Sequence, residues 1–303
     1  MGFFRKVPCP AKLNLYLGVT GRRDDNYHDI ASLAVQLNLF DHLQIRLSEI
    51  PGDDTMVCDV PEIPTDHTNS VMKALGLFRK MYDFPYRVSV SLEKNIPIGS
   101  GLGGSGSDAA FFLKTLNEML AFPISDADLQ LMAAKVGSDV PLFLSSSPCI
   151  VKGRGDCVAS VNPERLDGLR KVKILVFKPI FSMDSQQAYD ILDIPGSWNY
   201  ANQTVATNFI QNLLSAYESG TYDSQSYLNT FESIVAGKYT EIGLIFKDMP
   251  EYFKLFAHLT GTGSACFVLL REDYDVEPLV EYLCEVLGET AFIALTRPRL
   301  VPA

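Results

Sequence analysis

A chain of 303 residues with 47% hydrophobic side chains has enough material for about two domains and is too apolar for a disordered polymer. Its 26 lysines and arginines against 36 aspartates and glutamates leave a net charge of −10. That balance argues against general nucleic-acid binding but leaves room for one anionic ligand held locally. No run of about 18 apolar residues predicts a membrane span, and the opening MGFFRKVPCPAKLN lacks the apolar stretch of a secretion signal. The six cysteines are scattered without C-x-x-C, and the four histidines form no H-E-x-x-H, so reduced thiols and no structural zinc are expected.

The first predicted element is a strand over residues 10–19, PAKLNLYLGV. Alternation puts Lys12, Asn14 and Tyr16 on one face and Leu13, Leu15 and Leu17 on the other. A lysine in such a strand either blunts a sheet edge or points into a site. The polar stretch TGRRDDNYHD, residues 20–29, predicts a loop closed by Tyr27 and His28, a pair that fits ordinary surface as well as ligand contact. Two strands are predicted next, Ser32–Phe40 and His42–Leu47, followed by a Pro- and Asp-rich loop over 51–68. Asn69 is a candidate cap for a helix carrying Val71, Met72, Leu75, Phe78 and Met81 at helical spacing.

A strand, Tyr86–Leu92, then runs into residues 97–110, PIGSGLGGSGSDAA, and a helix predicted over 108–120. Glycines between a strand and a helix start allow positive φ and close backbone approach, and the helix start offers free N–H groups to an anion. The stretch lacks the Gly-Lys-Ser/Thr ending of a Walker loop. Gly99, Gly101 and Gly104 match G-x-G-x-x-G, yet no strand ending in an acid follows about 20 residues on, so a dinucleotide fold is rejected.

Ser125, with Asp128, predicts the cap of a further helix whose apolar face is Leu129, Met132, Ala133 and Val136, ended by Gly137. Asp139, in Gly137-Ser138-Asp139-Val140-Pro141, reads either as a helix cap or as a carboxylate beside the glycine loop. Strand segments are expected over 149–161, and the composition shift at 162–170 suggests a domain boundary, with domains 1–165 and 166–303. The second half predicts a strand at 171–177 and helices near 185–192, 203–218, 226–235 and 240–247. A glycine turn within LTGTGSACFVLL (259–270), a helix Pro278–Leu287 and a strand Phe292–Thr296 complete it. Gly261 and Gly263 suit a plain hairpin turn as well as a site. The order of elements predicts an α+β fold.

Three stretches, PAKLNLYLGVTGRRDDNYHDI, PIGSGLGGSGSDAA and LTGTGSACFVLL, resemble the three motifs of the GHMP small-molecule kinases, in the family's order and across nearly the whole chain. The first motif, with Tyr27-His28 and the Gly137–Pro141 stretch, is similar to the branch of that family acting on a cytidyl diphosphate ester of a branched tetritol, in the non-mevalonate route to isoprenoid precursors. The resemblance implies an N-terminal domain with a left-handed β-α-β unit, a ferredoxin-like C-terminal domain and a site in the cleft between them. It implies a cytoplasmic ATP-dependent kinase, monomer or weak homodimer, using Mg2+ and a small-molecule cytidyl diphosphate substrate, with no nucleic-acid or membrane partner.

By position, the resemblance makes Lys12 and Asp139 the catalytic pair. It assigns the ATP phosphates to Pro97, Ile98, Gly99, Ser100, Gly101, Leu102, Gly103, Gly104, Ser105, Gly106 and Ser107. Asn14, Tyr27 and His28 would contact the cytidyl group, Ser107 is a candidate magnesium ligand, and Phe181 is a candidate second aromatic on the base. Members usually read GLGGGSSNAA where this chain has GLGGSGSDAA, so a serine at 106 is expected to be tolerated and Asp108 replaces an asparagine. Another alcohol kinase of the same family, or a catalytically silent nucleotide-binding regulator, are the alternatives.

Overall fold

The computed structural model describes residues 3–145, 147–194, 200–221 and 228–301. Strands β1 (Phe3–Arg22) and β2 (His28–Ser48) form a long antiparallel hairpin. β2 is one continuous strand rather than the two predicted. Its first part pairs with β5 (Cys149–Gly153) and its last part with β4 (Arg87–Glu93). Asp41, the residue left between the two predicted strands, falls where partners change. The predicted 51–68 loop contains a short strand, β3 (Thr55–Cys58), parallel to β4. Four residues between Pro- and Asp-rich flanks carry too little pattern to be seen in sequence.

Helix α1 (Ser70–Met81) connects β3 to β4, forming the β-α-β unit. The Asn69 side chain accepts from the Val71 N–H at 2.8 Å, a cap worth about 1 kcal/mol. Helix α2 (Gly104–Met119) begins four residues earlier than predicted, because Gly103 in the left-handed region already serves as its N-cap. α2 buries Ala109, Ala110, Phe112, Leu113 and Leu116 completely. The larger of these side chains each contribute roughly 1.5–3 kcal/mol by leaving water. α3 (Asp126–Val136) starts at the cap expected of Ser125 and Asp128: Ser125 Oγ accepts from Asp128 N–H at 3.2 Å and donates to Asp128 Oδ2 at 2.7 Å. α4 (Val140–Leu144) follows at once, and β6 (Cys157–Ser160) completes the first sheet's far edge.

A 3₁₀ segment, Pro163–Lys171, leads into a second sheet of β7 (Val172–Lys178), β8 (Ala257–Leu259), β9 (Cys266–Arg271) and β10 (Phe292–Thr296). Its order is β10-β7-β9-β8, all antiparallel. Helices α5 (Ser185–Leu192), α6 (Gln203–Ser219), α7 (Glu232–Lys238) and α8 (Thr240–Asp248) lie between β7 and β8, and α9 (Glu277–Leu287) lies between β9 and β10. This is the β-α-β-β-α-β plan of a ferredoxin-like unit. Of the helix expected at 226–235, residues 226 and 227 lie outside the described residues. Leu228–Phe231 are not helical, and the helix starts at Glu232. The Asn229 side chain instead donates to the carbonyls of Leu259 (3.0 Å) and Gly261 (2.9 Å), tying this segment to the glycine turn. A last strand, β11 (Pro298–Arg299), returns to pair with β2, so the chain end crosses the division suggested at 165/166.

Three apolar clusters hold these layers. One lies between the first sheet and α1–α4. A second joins β1 and β2 to β7, β9 and α6, and the third packs the other face of the second sheet against α5 and α7–α9. Strand β1 therefore touches both halves, and its bulges near residues 10–12 and 14–16 decide which side chain faces which half. Tyr16 does not share a face with Lys12 and Asn14. The bulge after Asn14 turns it to stack on Phe209, with ring centroids 4.8 Å apart.

Candidate active site

The glycine loop is shaped by three left-handed glycines in alternation, Gly99 (φ 59°), Gly101 (φ 78°) and Gly103 (φ 73°). A Cβ on Gly101 would lie 2.3 Å from the Thr260 carbonyl oxygen, so the second and third glycine motifs meet backbone to backbone. Ser100 accepts at its carbonyl from Ala265 N–H (3.0 Å), and Leu102 from Lys12 N–H (2.9 Å). Thus the glycine loop is bonded to β1 on one side and to the turn before β9 on the other.

Two connected hollows of 640 and 370 Å3 open around this loop. The smaller is walled by Pro97–Gly101, Gly103–Ser105, Ile63, Pro64, Lys94 and Asp108. The larger is walled by Lys12, Asn14, Tyr27, His28, Gly106, Asp139, Arg154, Tyr189 and Gly261. Ser70, Gly101, Gly103, Ser105, Asp139 and Ser185 line both, so they form the seam. Of the predicted loop residues, Leu102 turns its side chain into the core. Ser107 is a correction: its side chain is fully buried and lines neither hollow, and its Oγ has no hydrogen-bond partner among the described residues. The serines that line both hollows are Ser70, Ser105 and Ser185, and of these Ser105 belongs to the glycine loop.

Lys12 is not an edge lysine, since it is 3% exposed. Its Nζ donates to Asn14 Oδ1 at 2.5 Å and lies 4.0 Å from Asp139 Oδ2. Burial pulls the Lys12 ammonium below the usual lysine range, and the Asp139 charge opposes that. Asn14 is held from every side. Oδ1 also accepts from Gly261 N–H (3.0 Å), Nδ2 donates to Ser32 Oγ (2.8 Å), and its own N–H donates to Thr260 Oγ1 (3.1 Å). This network fixes the amide with its oxygen toward Lys12. Asp139 stands at the cap position of α4 but makes no side-chain cap bond, and its side chain is half exposed to the cleft.

His28 is buried and Tyr27 exposed. The Arg154 guanidinium lies over one face of the Tyr27 ring at 5.0 Å, which leaves the other face for a ligand. Phe181 is corrected: it stacks on Tyr239 at 3.9 Å and lines neither hollow. The aromatic of the second half at this wall is Tyr189, stacked on His28 at 4.5 Å and 21°. Burial, aided by the Asp139 charge, pushes its hydroxyl above the usual tyrosine range. Arg154 and Tyr189 escaped the sequence reading because neither belongs to a glycine motif; Arg154 in its Gly-Arg-Gly turn was the only visible signal.

Under the smaller hollow lies a buried ionic group. Lys94 Nζ bonds Asp41 Oδ2, and Asp108 Oδ2 at 3.0 Å. Asp41 Oδ1 accepts from the N–H groups of Asn95 (2.7 Å) and Ile96 (2.8 Å). Among the described residues no cluster of three or more His, Cys, Asp or Glu is arranged to hold a metal, and no helix is long and apolar enough to cross a membrane.

Residues 69–147 match the family profile described as the GHMP kinases N terminal domain. The 4-diphosphocytidyl-2-C-methyl-D-erythritol kinase of Pseudothermotoga lettingae is 34% identical over 88% of this chain and 92% of its own length. That of Protochlamydia amoebophila is 35% identical over 88% and 85%. A crystal structure of 4-(cytidine 5'-diphospho)-2C-methyl-D-erythritol kinase superposes with a TM-score of 0.74 at 26% identity, covering 97% of this chain and 99% of that one. Homoserine kinase from Cytophaga hutchinsonii, 15% identical with a TM-score of 0.71 over 98% and 97%, shares the fold. Relatives matched along almost their whole length, around one cleft built by all three glycine-bearing motifs, place this chain in the 4-diphosphocytidyl-2-C-methyl-D-erythritol kinase family of the GHMP kinases.

Proposed function

We propose that this ATP-dependent kinase phosphorylates the 2-hydroxyl of 4-diphosphocytidyl-2-C-methyl-D-erythritol, in the non-mevalonate route to isoprenoid precursors, with Lys12 and Asp139 at the reacting oxygen. The observation that carries this is the Lys12–Asp139 pair, 4.0 Å apart, at the seam of two hollows that meet on the glycine loop. Phosphoryl transfer needs two ligands end to end with the acceptor hydroxyl in line. Ile98–Gly101 and Gly103–Ser105 offer backbone N–H groups to ATP phosphates in the smaller hollow. The larger hollow, with Tyr27 and His28 at its far wall, takes the cytidyl compound.

Asp139 accepts the hydroxyl proton, or orients it, as the oxygen attacks phosphorus. Lys12, held by Asn14, stabilises the charge gathering on that oxygen and on the moving phosphoryl group. Asn14 spends its amide on Lys12, Gly261 and Ser32, so its share in the substrate is to hold Lys12 on the cleft wall. Ser105 of the glycine loop and Asp139, two of the polar side chains on the seam, would hold Mg2+. One or two protein oxygens suffice for an ion that arrives with the nucleotide. When bound, Mg2+ neutralises phosphate charge. The chain is assigned to the cytoplasm, as a monomer or weak homodimer.

The test is Asp139→Asn, assayed with the cytidyl compound and with the free tetritol. A folded variant losing about 10²–10⁴-fold in kcat, and a wild type strongly preferring the cytidyl compound, support the proposal. Near-wild-type turnover in the variant overturns the role of Asp139. Equal rates on both compounds overturn the substrate.

A further inference from the structure

The wall that carries His28 contains a second arrangement that the phosphoryl chemistry does not use. Tyr189 and Asp193 stand four residues apart at the end of α5, and both meet the His28 ring. Tyr189 stacks on the ring face, while Asp193 Oδ1 lies 2.8 Å from His28 Nε2. The carboxylate is itself held: Tyr200 donates its hydroxyl to Oδ1 at 2.6 Å, and Arg22 Nη1 lies 3.3 Å from Oδ2. Burial works against the Asp193 charge, but the hydrogen bonds from Tyr200 and His28 and the nearby charge of Arg22 outweigh it and hold the carboxyl below the usual range. An ionised carboxylate is an acceptor only, so His28 Nε2 must carry the hydrogen. In a neutral imidazole that leaves Nδ1 as the acceptor, and Nδ1 has no hydrogen-bond partner among the described residues.

We propose that Asp193 is a positioning residue that fixes His28 in the Nε2–H tautomer, so that Nδ1 accepts from a ligand donor on the cleft wall, specifically the exocyclic amine of an aminopyrimidine. The ligand half of this rests on the cytidyl substrate proposed above. A cytosine offers an amine donor where a uracil offers a carbonyl acceptor, so an acceptor locked at Nδ1 favours the former. Replacing a carboxylate beside a histidine by its amide lets an N–H point at the ring and admits the other tautomer, without altering the packing.

Two measurements test this with the full chain. Imidazole 15N resonances of the wild type at alkaline pH should show His28 protonated at Nε2 and bare at Nδ1, and Asp193→Asn should shift population toward Nδ1–H. Kinetics of Asp193→Asn should show KM for the cytidyl diphosphate compound raised about tenfold, the size of one lost hydrogen bond. The preference over the uridyl analogue should fall by a similar factor, with kcat and the KM for ATP nearly unchanged. A merely structural role would lower kcat or raise both KM values together, and that result overturns the proposal. So does a wild-type His28 protonated at Nδ1, an observation that needs no variant to fold. A wild type with the Nε2–H tautomer that uses cytidyl and uridyl compounds equally refutes the substrate reading, while the resonances uphold Asp193 as the residue that sets the ring.

Discussion

Asp108→Asn isolates the cost of a second carboxylate beside Lys94. Asp108 is 2% exposed, and burial first, then the Asp41 charge, push its carboxyl up to about 7, against the opposing pull of Lys94. Lys94 moves the other way from burial: the charges of Asp108 and Asp41 outweigh its desolvation and raise it. An unfolded aspartate titrates near 3.9. The folded state therefore keeps an extra proton between about pH 4 and 7, so stability is full below that window, falls through it, and is flat above. Roughly three pH decades at about 1.4 kcal/mol each set a ceiling of about 4 kcal/mol for the penalty at pH 8. The asparagine cannot ionise and keeps an oxygen acceptor for Lys94. It gives up a charge partner, however, and puts its amide near the spot where Asp108 Oδ1 has no hydrogen-bond partner, which costs about 2 kcal/mol. The net gain at pH 8 is about 1–2 kcal/mol, or about 2–4 °C in Tm. Thermal melts of both proteins at pH 5, 6.5 and 8, at one ionic strength, measure it. The gain should grow with pH up to about 7. A difference independent of pH, or one that shrinks as pH rises, would refute the argument.

Lys12→Met should lower kcat by about 10²–10³-fold with little change in ATP affinity, because Nζ faces Asp139 rather than the smaller hollow; ATP titration by calorimetry reads this, and loss of ATP binding with normal turnover at saturation would contradict it. Gly103→Val should abolish ATP binding, since a Cβ there meets Lys12 Cγ and Phe143 Cζ, each at 2.9 Å, on a backbone at φ 73°; normal binding would mean the loop is not the phosphate cradle. The family's serine suggested that Gly106→Ser is harmless. Here a Cβ would lie 3.2 Å from Asp139 Cβ, so kcat should fall about fivefold while ATP affinity holds, and unchanged steady-state kinetics would show that Asp139 yields freely. Tyr27→Ala should raise KM for the cytidyl compound about tenfold and leave the KM for ATP alone; equal effects on both would place Tyr27 outside the substrate wall.

The glycine loop, the capped helices and the strands around the glycine motifs were legible in the sequence because their signals are local. Glycine at a strand–helix junction, Asn69 and Ser125 at helix starts, and β-period runs act within a few residues of themselves. The family was legible because all three motifs are contiguous strings. What stayed hidden depends on distance along the chain. Lys12 and Asp139 are 127 positions apart, and only the packing of α2 against β1 and of α4 against α2 brings them to 4.0 Å. Strict alternation assigned Tyr16 to the wrong face because a bulge is a property of the pairing with β2, not of β1 alone. Tyr189 and Phe181 are both aromatics following the same strand, and composition cannot choose between them. The second sheet's packing sends Phe181 against Tyr239 and Tyr189 against His28. Asp193 looked like any residue at a helix end; its meaning arises only where the tip of the β1–β2 hairpin meets α5, because a carboxylate can set a histidine's tautomer only from hydrogen-bond distance.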